Sequence, residues 1–166
     1  MRVMCSYCRK EMDEKEPSSD TRISHSMCVP CSDIEMAAFK PYDLGDRLRN
    51  LDRPVIVLTG ERRLIACNTM TERILGRPLS AMRGLKAGEF LACARSRQVK
   101  GCGGNLECED CAIRKTLAQT FETGVGEERV PALLHTDHDG TPVVRDLLIS
   151  VDRAGDYLRV VIDRMT

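Results

Sequence analysis

Between Leu51 and Met165 the apolar positions follow a period of two at both ends of the segment and a period of about 3.6 in its middle. Val55-Ile56-Val57-Leu58 predicts a buried strand, Thr59-Gly60-Glu61-Arg62 a turn, and Leu64-Ile65-Ala66-Cys67 a second strand closing a hairpin. Thr69-Met70-Thr71-Glu72 reads as a capping box and Gly76 as a helix C-cap. Gly84 to Glu89 reads as loop. Ile113, Leu117 and Phe121 recur every fourth residue and mark one apolar helix face that stops before Gly124. Strand patterning then resumes. Val130 to His135 is followed by the turn signal Asp137-His138-Asp139-Gly140. Val143, Leu147, Ile149 and Val151 share one parity, and after a turn at Asp152 to Asp156 so do Leu158, Val160 and Ile162. Two strands, helices, then three strands is an α+β pattern: a five-stranded antiparallel sheet with its helices on one side.

The first 50 residues are patterned differently. Residues 1–32 are polar and too few to build a core without a staple, and Glu11 to Ser24 reads as a charged loop. Ser32-Asp33-Ile34-Glu35 opens a short helix through Phe39, which Pro41 stops. Leu44, Leu48 and Leu51 then mark a connecting helix. The organisation expected is a small module at 1–32, a helical linker at 33–50 and a main domain at 51–166.

Composition sets the context. With 42% hydrophobic and 30% charged residues the chain is globular. Its 25 basic and 25 acidic residues cancel, which gives no general attraction to nucleic acid or an anionic membrane. No apolar stretch approaches the roughly 18 residues of a membrane span, and Met1 to Cys5 lacks the apolar core of a signal peptide. A cytoplasmic location is expected, where paired cysteines are more often metal ligands or redox groups than disulfides.

The nine cysteines divide as four, four and one. Cys5-Ser6-Tyr7-Cys8 and Cys28-Val29-Pro30-Cys31 are two Cys-x2-Cys turns about twenty residues apart, the spacing of a structural zinc site. Binding would offset the entropy of ordering a module with almost no core. His25 could replace one thiolate in principle, but four cysteines already fill the shell. The second set is Cys93, Cys102, Cys108 and Cys111. Gly101-Cys102-Gly103-Gly104 permits close backbone approach, and Cys108 and Cys111 stand three apart where the helix carrying Ile113 begins. A helix N-terminus stabilises thiolates. Zinc, an iron–sulfur cluster and a metal-free thiol switch all remain open for this set. Cys67 reads as a core residue, His135 and His138 as surface residues at a hairpin tip, and Arg95, Arg97 and Lys100 as a solvated basic run. No nucleophile–base–acid set can be assembled, and no catalytic residues are expected.

Several of these segments resemble the PAS family. Asn68-Thr69-Met70-Thr71-Glu72-Arg73-Ile74-Leu75-Gly76 resembles the PAS helix that follows the second strand. Gly88-Glu89 to Cys93, then Gly101-Cys102-Gly103, then Cys108-Glu109-Asp110-Cys111-Ala112-Ile113-Arg114, is similar to a cysteine-rich subclass of PAS domains in bacterial signalling proteins. The N-terminal cysteine pairs resemble a zinc-finger-like module found beside such domains. The resemblance implies a PAS-like sensor or interaction domain at 51–166 and not an enzyme. No kinase, cyclase or helix-turn-helix output is recognised after Met165, so the signal would pass to a protein partner, such as a histidine kinase or regulator, or through homodimerisation. The leading expectation is a stand-alone PAS-type sensor with structural zinc at the first site and redox or metal sensing at the second. The alternatives are a zinc-dependent nucleic-acid-binding regulator, opposed by zero net charge and 4% aromatics, and a thiol oxidoreductase.

Overall fold

The structure, a computed structural model, describes residues 2–12, 23–32, 48 and 51–166. The helix predicted from Ser32 to Phe39 lies outside these residues apart from Ser32, as does the linker helix apart from Leu48 and Leu51. Leu48 is helical and buried.

The main domain has the expected architecture, a five-stranded antiparallel sheet with helices between its second and third strands. Strands β4 (Val55–Thr59), β5 (Leu64–Cys67), β6 (Glu127–His138), β7 (Thr141–Ala154) and β8 (Tyr157–Met165) form one antiparallel sheet in the order β5-β4-β8-β7-β6. Helices α1 (Thr69–Leu75), α2 (Leu79–Met82), α3 (Ala87–Phe90) and α4 (Ala112–Thr123) connect β5 to β6. The parities read from the sequence face the core except at Val143, which is half-buried and outside it. Leu147, Ile149 and Val151 of β7 and Leu158, Val160 and Ile162 of β8 join Ile113 and Leu117 of α4 in the main core. Gly124 ends α4 in the left-handed conformation at φ 71°, as a C-cap glycine does. Asp139 and Gly140, both at positive φ, make the two-residue hairpin turn between β6 and β7.

The start of α1 differs from the predicted capping box at Thr69. Asn68 is the N-cap. Its side-chain oxygen accepts from Thr71 N at 3.1 Å and from Val55 N at 3.1 Å, while its amide donates to Arg53 O at 2.6 Å. Asn68 alone can satisfy β4 and α1 together, and this decides the cap. Glu72 instead accepts from Leu79 N at 2.6 Å, opening α2. The segment expected to be loop at Gly84 to Glu89 contains α3, whose first turn is closed by Lys86 N donating to Glu89 at 2.7 Å.

A second, three-stranded sheet in the order β2-β1-β3 is made by β1 (Arg2–Cys5), β2 (Glu11–Met12) and β3 (Ile23–Ser26). It is not a detached satellite. All five residues of β4 are buried because each face is covered by a different cluster. Ile56 and Leu58 face the helices. Val55 and Val57, with Ile65, pack in one cluster with Cys5, Cys8, Cys28, Cys31 and Leu48. The cysteine module therefore covers the outer face of the sheet over β5, β4 and β8, where Tyr157 and Val161 also join it. At the β6–β7 end Leu133 and Val144 are exposed.

Candidate metal centre and cysteine-lined cavity

The first cysteine set is built from two chain reversals. After β1 the chain turns back on itself, with Arg9 N donating to Cys5 O at 3.0 Å and Cys5 N to Lys10 O at 2.8 Å. Arg9 takes a positive φ of 59° to complete this knuckle. Strand β3 runs parallel to β1, with Met4 opposite the backbone of His25 and Cys5 opposite Ser26, and so delivers Cys28 to the same place. A helical turn over 29–32 then carries Cys31, with Ser32 N bonded to Cys28 O at 2.9 Å.

The four sulfurs lie within 4.8 Å of one another, all four residues are buried, and none is in a disulfide. Cys8 Sγ and Cys28 Sγ are 3.6 Å apart. A tetrahedral zinc ion with Zn–S bonds of about 2.3 Å needs sulfurs about 3.8 Å apart, so the cage already has the size of one ion. Cys28 N donates to Cys5 Sγ at 3.4 Å. Burial pushes the Cys5 thiol up, but backbone N–H groups of Cys28, Cys8 and Tyr7 outweigh it and hold the thiol down at about 6. Burial pushes Cys8 up to about 11 and Cys31 further. One thiolate is thus favoured by the backbone while its neighbours are opposed by burial, an imbalance that a bound cation removes. These residues can hold a metal ion.

Polar contacts seat the module on the sheet. Tyr157 donates its hydroxyl to Pro30 O at 2.7 Å, and Lys10 Nζ lies 2.9 Å from Glu61. The Arg83 guanidinium sits 4.8 Å from the centre of the Tyr7 ring. At Gly84, with φ 82°, a Cβ would stand 3.1 Å from Tyr7 O, so the close approach there needs glycine.

The second set is arranged otherwise. Cys93 follows α3 and Ala92, which has a positive φ of 58°, and Cys93 N donates to Gly88 O at 2.7 Å. Cys102 lies between Gly101 and Gly103, both left-handed, and its sulfur accepts from Gly88 N at 3.3 Å. Cys108 ends a short 3-10 turn at Leu106–Cys108, and Cys111 is the N-cap of α4 in an extended conformation. Cys108 and Cys111 therefore straddle the helix start instead of sharing a helical face, and Cys111 makes no side-chain capping bond. All four cysteines line one cavity of about 540 Å³ between the helices and the sheet. Among the described residues, only the N-terminal four form a tight group of candidate ligands, and this set does not. Burial raises the Cys102 thiol, and Cys108, Cys111 and Cys93 add to the rise despite the Gly88 N–H.

The cavity recruits residues that sequence reading placed elsewhere. Arg95 and Lys100, expected to be solvated, line it, as do Lys86 and Arg114. Arg95 also donates to Glu107 O at 3.2 Å, and Arg97 pairs with Asp137 at 3.8 Å. His135 lines the cavity from within β6, opposite Val144, whereas His138 is exposed at the hairpin tip beside Asp139. Nothing in the spacing of these residues announced the cavity, because it forms only when α4 packs on the sheet. Cys67 packs against the core as expected, and burial pushes its thiol up to about 12.

No protein-family model matches the chain, and no curated protein does. Solved structures similar to it include a domain of a sensory box sensor histidine kinase/response regulator from Geobacter sulfurreducens, at 12% identity and TM-score 0.49, covering 76% of this chain and 99% of that one. The Rhodobacter sphaeroides LOV protein is 11% identical with TM-score 0.48; the match covers 71% of this chain but only 62% of that one. The PAS domain of a Desulfitobacterium hafniense protein is 17% identical with TM-score 0.44, covering 71% and 97%. Likeness at this level transfers no chemistry, and the sites are read from this chain alone.

Proposed function

We propose that this protein is a PAS-type sensor of signal transduction in which the cavity cysteines detect redox state or a metal, while Cys5, Cys8, Cys28 and Cys31 hold a structural zinc ion. The observation that carries the reading is the convergence of Cys93, Cys102, Cys108 and Cys111 on one cavity. Zinc supplies a fixed tetrahedral charge that ties two reversals of the chain into one unit. Cys111 caps α4, and α4 packs on β6, β7 and β8, so a change in thiol chemistry is felt at the start of a helix lying on the sheet. The protein acts by binding and not by catalysis, passing its state to a protein partner such as a histidine kinase or regulator, or to a second copy. A cytoplasmic setting suits reduced thiols, and no helix among the described residues is long and apolar enough to cross a membrane. The test is the double variant Cys108→Ser, Cys111→Ser. It should lose second-site metal or redox response and change partner or self-association. Wild-type metal content, redox response and association in that variant would refute the reading.

A further inference from the structure

We infer that the cavity lined by Cys93, Cys102, Cys108 and Cys111 holds a polynuclear iron–sulfur cluster and not a single metal ion. This deepens the proposed sensing function and rests on it. The chain contains its own comparison. Its N-terminal set gathers four sulfurs within 4.8 Å, with one pair at 3.6 Å, the geometry of a cage around one ion. A single zinc ion would demand the same collapse of the second set, to sulfur–sulfur edges of about 3.8 Å. That set does not collapse: its four cysteines line one cavity of about 540 Å³, and their sulfurs form no tight group like the N-terminal four. A cluster of iron and inorganic sulfide carries its four thiolates on the outer corners of its own core, so it requires separated sulfurs with room between them.

The backbone suits such a group. Gly88 N donates to Cys102 Sγ at 3.3 Å, and a Cβ on Gly88 would stand 2.7 Å from that sulfur, so only glycine allows the approach. Hydrogen bonds to sulfur are among the features that tune cluster potential. Lys86, Arg95, Lys100 and Arg114 line the same cavity and supply positive charge for a group bearing four thiolates. None of the four comes from the N-terminal module, so the two sites can fill independently.

The experiment uses the full chain, reconstituted anaerobically with ferrous iron and sulfide, with iron, acid-labile sulfide and zinc counted per chain and Mössbauer spectra recorded. The expected result is about four iron and four sulfide per chain, the content of a cubane cluster. Both fall to background in Cys102→Ser and in Cys111→Ser, while the N-terminal zinc stays. Cys67→Ser keeps iron, sulfide and zinc. Retained N-terminal zinc and an unchanged far-ultraviolet circular dichroism spectrum show that a variant has folded, and the wild-type stoichiometry decides the matter even if one has not. Four-sulfur zinc coordination at the cavity cysteines, or failure of the wild type to incorporate sulfide, would overturn the inference. Zinc lost in Cys102→Ser and Cys111→Ser would overturn the cluster alone and leave a metal sensor. Metal and redox behaviour untouched by either substitution would overturn the sensor reading as well.

Discussion

Val57→Ala separates the two faces of the sheet. Val57 is 4% exposed and lies in the cluster that includes the four N-terminal cysteines, whereas Ile56 beside it points into the helical core. The substitution removes two methyl groups, worth about 0.8 kcal/mol each, and leaves a small cavity. The expected loss of stability is therefore about 2 kcal/mol, roughly thirtyfold in the folding equilibrium. That loss depends on the metal module being in place. After chelation the module loses what orders it, Val57 faces water in the folded chain too, and the cost should fall to less than half. Denaturant unfolding of wild type and variant, each with and without metal, closes the cycle. Val160→Ala removes the same groups from the inner face, where Val160 packs in the helical core, and should cost the same in both metal states. Equal costs for Val57→Ala with and without metal would refute the reasoning, because the outer face would then not depend on the metal-bound module.

Asn68→Ala strands Val55 N and the first turn of α1 at a site 2% exposed, and should cost about 2–3 kcal/mol in denaturant unfolding. Tyr157→Phe removes the hydroxyl that reaches Pro30 O and should raise amide hydrogen exchange in the N-terminal module by about fivefold, matching about 1 kcal/mol, with the helical core unchanged. Metal release to a chromophoric chelator should rise as pH falls, since each ligand must be deprotonated to bind. Cys31, pushed up furthest by burial, competes least well against protons, Cys8, pushed up to about 11, comes next, and Cys5, held at about 6, keeps its thiolate longest. Cys67, raised to about 12 by burial, carries almost no thiolate near pH 8, so it should alkylate slowly even once metals are stripped.

The elements most legible in the sequence were those with one buried face. Alternation in β7 and β8 and the fourth-residue repeat in α4 record burial on one side only, and each matches its side in the structure. The apolar run of β4 was equally plain, but its cause was hidden. Its outer face is covered by residues far away in the chain, as the Tyr157–Pro30 bond shows, and no local pattern encodes that contact. The choice of Asn68 over Thr69 as cap is likewise tertiary, made by Val55 N and Arg53 O. The first cysteine set was readable because two tight Cys-x2-Cys turns fix half of the geometry within four residues each. In the second set only Cys108 and Cys111 are that close, so spacing could name the four residues but not the distances between them. The roles of His135, Arg95 and Arg114 in the cavity wall depend on how α4 lies on the sheet, and a linear pattern carries no trace of that.

The claim on which the function depends is that cavity chemistry acts on α4 through Cys111. Amide hydrogen exchange over Ala112–Thr123 tests it directly, comparing full-length protein with the cavity loaded and with the cavity stripped, the N-terminal zinc retained in both. The account predicts that protection changes first and most in the opening turn, from Ala112 to Lys115, and extends to the β6–β7 amides beneath. Unchanged exchange along the whole helix, while the cavity cysteines demonstrably change state, would contradict it.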